Sequence, residues 1–322
     1  MRYRRLGRTG LEVSEIGYGA WGIGGAQWGG ADDDESIQAL HRAIDLGLNF
    51  VDTALAYGEG RSERLVGRVV REREETVHVA TKVPPKNRIW PAEKGSALAD
   101  VFPPGYVSEC AEQSLRNLGT DTVDVLQLHV WNDEWADSAE LIDEVDELRS
   151  SRRIRFFGIS INDHQPDNGL RLIRRGVVDT VQVIYNVFDQ SPEDELFPAC
   201  REHDVGVIAR VPLDEGGLTG RIDPDTEFEG DDHRAHYFRG DRKREVHERA
   251  AAIASDLGID ESDLADSALR FILSEPAVST VIPGMRSLRN VERNVAASDA
   301  GALADEQRQR LRAHRWVRNF YE

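Results

Sequence analysis

Eight short apolar runs recur along this 322-residue chain, and stretches with helical spacing separate them. The runs end near Gly19, Asp52, Lys82, His129, Ser160, Tyr185, Arg210 and Ile282. A short continuous apolar run is how a parallel strand buried on both faces reads. Helix-like segments cover 62–72, 106–118, 138–150, 168–175, 192–204, 242–257 with 261–274, and 288–297. After the first run a glycine-rich loop, 22–30, leads to acidic residues 32–35 that open a further helix, with apolar Ile37, Leu40, Ala43, Ile44 and Leu46. The alternation predicts an α/β fold, a (β/α)8 TIM barrel spanning 1–322 as a single domain. Residues 2–6 and 11–16 flank Gly7 to Gly10 and read as an N-terminal hairpin that caps one end. A doubly wound sheet is the competing architecture, but the first turn, 19–25, lacks the G-x-G-x-x-G register opening directly into a helix.

Charge narrows the function classes. A formal net charge of -18 argues against a nucleic-acid or anionic-membrane partner, since both attract a basic face. Lysine occurs only at 82, 86, 94 and 243, which suits either a salt-rich cytoplasm or a GC-rich genome. Cys110 and Cys200 have no metal-site spacing and are expected as reduced thiols. No apolar leader opens the chain and no run is long enough to span a membrane, so a cytoplasmic location is expected. Two loops, 84–105 and 214–240, are long for a barrel and should lie over its active face. The second carries His233 and His236, read as part of a solvated lid rather than as metal ligands, and oligomeric state is left open.

All strand ends of such a barrel open on one face, so Asp52, Tyr57, Lys82 and His129 can meet there. Each has an ordinary reading: a turn cap, a loop aromatic, a strand-end charge, a core histidine. Together they fit one task. Reducing a carbonyl beside a hydride donor requires a proton for the developing alkoxide. Tyr57 could supply it, Lys82 would favour the phenolate and lower the phenol's pKa, Asp52 would hold Lys82 charged, and His129 would align the carbonyl oxygen. This chemistry needs no metal.

The same residues resemble the aldo-keto reductase family. The likeness is carried by Asp52-Thr53-Ala54 with Tyr57-Gly58, by Ala80-Thr81-Lys82, by Gln127-Leu128-His129 and by Gly158-Ile159-Ser160. It continues through Gln182, Tyr185-Asn186, Pro212-Leu213 with Gly217-Leu218-Thr219-Gly220, and Ile282-Pro283-Gly284 with Asn294. It implies that Asp52, Tyr57, Lys82 and His129 form a catalytic tetrad, that NADP(H) is the cofactor and that a small carbonyl compound is the substrate. Ser160 and Gln182, with Asn162 in place of a more usual neighbour, would hold the nicotinamide carboxamide. Arg210 stands where many relatives stack an aromatic ring, and a planar guanidinium can also stack; otherwise it pairs with an acidic loop. The pyrophosphate would lie against Pro212, Leu213, Gly217, Leu218 and Gly220, and Gly19 and Trp21 complete the inner contacts. Gly284, Arg286, Asn290 and Asn294 would take the adenosine end, with Arg286 on the 2′-phosphate. Trp21, Trp90 and Trp131 are expected at the mouth, lining an apolar pocket. Two other classes compete: a cofactor-sensing regulatory subunit with little turnover, and a metal-dependent barrel hydrolase using Asp52 and His129.

Overall fold

The computed structural model describes residues 1–25, 31–228, 230 and 232–321. Positions 26–30 of the glycine-rich loop, and 229 and 231 of the second long loop, lie outside the described residues. A hairpin of β1 (Tyr3–Arg5) and β2 (Glu12–Ser14) pairs antiparallel, Arg4 opposite Val13. Eight parallel strands follow: β3 (Tyr18–Gly19), β4 (Phe50–Asp52), β5 (His78–Val83), β6 (Val123–Leu128), β7 (Ile154–Ser160), β8 (Thr180–Ile184), β9 (Gly206–Arg210) and β10 (Val278–Val281). Each pairs with its successor, and parallel bridges from Ile16 to Val281 and from Gly19 to Gly284 bring the last strand against the first. The expected barrel is therefore present, its strands ending within about two residues of the anticipated positions.

Local chemistry explains the closure. An added Cβ at Gly19 would stand 2.6 Å from the Ile282 carbonyl oxygen, so only glycine lets the first and last strand ends approach this closely. The hairpin plugs the opposite end, where Leu6, Leu11 and Val13 pack against Phe50, Val125 and Ile208 inside the barrel. Helices cover the outside. Asp32 accepts from the Glu35 amide at 2.8 Å to start Asp33–Asp45, and Ser138 caps Ala139–Ser150 in the same way. Left-handed Gly119 and Gly258 end Tyr106–Leu118 and Arg242–Leu257.

Some elements differ from the sequence reading. The helix expected at 168–175 is only Leu170–Arg174, and that at 192–204 is a 3-10 turn, Ser191–Glu193, followed by Leu196–Glu202. A terminal helix, Asp305–Arg312, was not foreseen because only Leu311 of it is buried, leaving no apolar stripe to read. Both long loops are partly ordered, with short helices at Leu98–Val101 and Arg234–Tyr237. Among the described residues no helix is long and apolar enough to cross a membrane.

Candidate active site

Register places the reactive groups. Asp52 pairs with Ala80, so Lys82 lies one pleat further along the neighbouring strand and points to the same interior face. Its Nζ donates to Asp52 Oδ2 at 2.5 Å, to the Thr53 carbonyl at 2.8 Å and to the Tyr57 hydroxyl at 3.2 Å. Lys82 and Asp52 are both buried. Tyr57 is delivered by a tight turn after β4: an added Cβ at Gly58, at φ +62°, would collide with the Gly24 carbonyl oxygen. The His129 ring meets the Tyr57 ring edge-on at 5.6 Å. All four groups predicted from sequence thus come together.

The four differ in charge. Burial alone would lower the Lys82 pKa, but the Asp52 carboxylate and Tyr57 outweigh it and hold the ammonium above its ordinary value. Burial, then Lys82 and Arg210, drive His129 well below 6.5, so the imidazole is neutral. Among the described residues nothing pairs with its buried Nδ1, which leaves Nε2 as the nitrogen available to the cleft. For Tyr57 burial is the largest influence and the net shift is upward, although Lys82 and Arg210 pull the other way. The expectation that Lys82 brings the phenol below its ordinary value is therefore not met; desolvation of the phenolate is the stronger effect.

Tyr57 and His129 form part of the wall of a cleft of about 830 Å³ that crosses the strand ends. Gly19 and Trp21 line it from β3, and the Trp21 ring is stacked 6.1 Å from Tyr57. Ser160 at the end of β7, Asn162 just after it and Gln182 on β8 also line it. The Asn162 amide is already engaged, accepting from the Trp131 amide and donating to the Ala92 carbonyl, both at 3.3 Å, so it braces the wall. Arg210 also lines the cleft, but its guanidinium pairs with Asp163 at 2.7 Å and the Ile161 carbonyl at 2.9 Å, the acidic-loop alternative. Pro212 and Leu213 follow, and Gly284, Arg286, Asn290 and Asn294 line the far end.

Four expected positions lie elsewhere. Gly217, Leu218 and Gly220 do not line the cleft; the bare faces of the two glycines lie against Asp214 and the Glu261 backbone, and Leu218 joins the core. Trp131 is fully buried beside Trp135 rather than at the mouth, its indole N–H held by Asp133. Trp21 and Trp90 do line the cleft, with Trp90 edge-on to His129 at 5.9 Å.

The second loop is more than a solvated lid. His233 packs on Trp21 with ring centroids 4.5 Å apart and shares a 3.0 Å hydrogen bond with Glu215, whose other oxygen accepts from the Tyr321 hydroxyl at 2.6 Å. Glu215, His233 and Tyr321 all border the cleft, and sequence reasoning missed their part in it. Nothing local in the sequence links them: Glu215 and Tyr321 are separated by 106 positions.

A barrel whose strand ends gather an ammonium-backed phenol, a neutral imidazole and a long cleft defines a class of oxidoreductase, and comparison with known proteins gives the family. The sequence model of the Aldo/keto reductase family matches residues 15–315, and the chain belongs to that family. It is 31% identical over 298 residues to the aldo-keto reductase YhdN of Bacillus subtilis, covering 91% of this chain and 87% of that one. The holo form of the aldo-keto reductase AKR11C1 from Bacillus halodurans superposes with a TM-score of 0.77 at 29% identity, all of both chains being covered. An aldo-keto reductase from Klebsiella pneumoniae, solved in complex with NADPH, gives 0.70 at 26% identity over 99% of this chain and 97% of that one.

Proposed function

We propose that the chain reduces an aldehyde or ketone to the corresponding alcohol with NADPH, Tyr57 acting as the proton donor. One observation carries the reading: a phenol 3.2 Å from an ammonium fixed by a buried carboxylate, in the wall of a cleft that also holds a neutral histidine. The donor set along the cleft fits the dinucleotide. Ser160 and Gln182 would hold the nicotinamide carboxamide, backbone near Leu213 and Gly216 the pyrophosphate, and Arg286 with Asn290 and Asn294 the adenosine and its 2′-phosphate. The nicotinamide, when bound, supplies the hydride for the carbonyl carbon.

The protein's own groups handle the oxygen. His129 donates from Nε2 to the carbonyl oxygen and orients it. As charge develops there Tyr57 releases its proton, and Lys82 stabilises the phenolate that remains. Asp52 keeps Lys82 cationic through the cycle, and Trp21 and Trp90 wall the reacting centre with apolar surface.

Titrating indole fluorescence with NADPH and NADH, then running an aldehyde and ketone panel at the nucleotide absorbance, tests the proposal. Saturable NADPH binding with consumption of at least one carbonyl is expected. Tight binding with no turnover across the panel would overturn it in favour of a regulatory subunit.

A further inference from the structure

The interior face of β6 carries a polar residue that the tetrad does not account for. Gln127 is fully buried on a strand whose other polar residue, Asp124, is only half-buried, and it pairs in register with Lys82 on one side and Gly158 on the other. Its Nε2 donates to Asp52 Oδ1 at 3.3 Å, the same oxygen that accepts from Gln182 Nε2 at 2.7 Å, while Asp52 Oδ2 takes the Lys82 ammonium. Among the described residues nothing donates to the Gln127 Oε1, which is buried. A side chain kept for packing alone would not carry this cost: an orphaned buried acceptor is destabilising, and an apolar residue of the same shape would avoid it. Gly158 beside it gives room mainly to Thr180, where an added Cβ would stand 2.2 Å from the hydroxyl, and only secondarily to Gln127, 3.2 Å from Cγ. Local rules broken without local gain mark functional positions.

Resting on the reading of Tyr57 as acid, we propose that Gln127 is a positioning residue for the reduction, acting with Gln182 as a two-amide clamp that fixes the Asp52 carboxylate so that its other oxygen faces Lys82. The clamp has a sign. Two N–H donors draw charge density onto Oδ1 and away from Lys82 and Tyr57. Without the Gln127 donor, Asp52 pulls harder on the Lys82 proton and its field disfavours the phenolate more strongly. The other charged or titratable groups around the pair are Tyr57, His129 and Arg210, and none occupies the Gln127 position.

The test uses the full chain with NADPH and 4-nitrobenzaldehyde, or whichever member of an aldehyde panel turns over fastest. Gln127→Met keeps the shape and removes both amide atoms. Its kcat should fall roughly ten- to hundredfold, as for loss of a hydrogen bond to a charged group. The upper inflection of kcat against pH should move up, while the NADPH Kd from fluorescence and the melting temperature stay at or above wild type. Gln127→Glu places a second carboxyl against Asp52 and should lower kcat further. Wild-type kcat and inflection in Gln127→Met would overturn the proposal, and so would a loss of kcat that tracks a lowered melting temperature with the inflection unmoved. Tyr57→Phe, run alongside, separates the two ideas: if it retains turnover the acid assignment fails, whereas if it is inactive and Gln127→Met is normal only the clamp fails.

Discussion

The two ends of the cleft handle charge in opposite ways. At the carbonyl end the charges are buried or half-buried, of both signs and matched atom to atom: Lys82 with Asp52, Arg210 with Asp163. At the far end like charges gather near the surface. Arg221, Arg286 and Arg293 border it, and the Arg221 pKa is lowered by burial together with Arg289 and Arg293. The first arrangement sets the protonation states of the groups proposed to move a proton, and it works only if no partner is lost. The second concentrates positive potential, which suits recognition of an anion arriving from solvent. One cleft therefore contains a site tuned by compensation and a site tuned by excess.

Removing single groups should expose that contrast, most strongly at the compensated end. Tyr57→Phe takes away the proposed acid without disturbing a charge, and kcat is expected to fall about 10² to 10⁴-fold while NADPH affinity holds, read by steady-state kinetics and fluorescence titration. Lys82→Met should abolish the advantage of Tyr57 and also cost about 3–5 kcal/mol in urea unfolding, because it strands the Asp52 carboxylate. Arg286→Ala, at the crowded end, should weaken NADPH binding roughly ten- to hundredfold, leave NADH nearly unaffected and leave the melting temperature unchanged. A loss of fold stability there would break the comparison. The smallest effect is a pH slope. His129 is neutral in the folded protein and protonates in the unfolded chain below about 6.5, so its contribution is intact above that value. Stability should then decline by about 1.4 kcal/mol per pH unit as the pH falls further, until the folded-state value is reached. His129→Asn should flatten that part of the unfolding profile.

The barrel was legible because its signals are local and repeated. A strand buried on both faces is mostly apolar, so residues such as Val123–Leu128, with only Asp124 and Gln127 polar, announce themselves and end where polar residues begin. The tetrad was legible for the same reason, as titratable groups at those ends. Trp131 was not, since a residue just past a strand can turn toward the cleft or into the core, and only the packing of Trp135 decides which. Gly217 and Gly220 are ambiguous in a similar way: glycine permits close approach without saying to what, and here the bare face of Gly220 meets the Glu261 backbone. The phenol's upward shift depends on how completely neighbouring loops exclude water, which one strand's sequence does not encode. Gln127 did leave a signal, an amide inside a mostly apolar run, and strand alternation would have placed it on the interior face beside Lys82.

The bond from Tyr321 to Glu215 ties two segments 106 positions apart together at the wall of the cleft. Truncating the Tyr321 side chain would spare every strand and every member of the tetrad, yet take away the group that anchors Glu215 and, through His233, Trp21. A change at Tyr321 would thus be felt in nucleotide exchange before it showed in thermal melts.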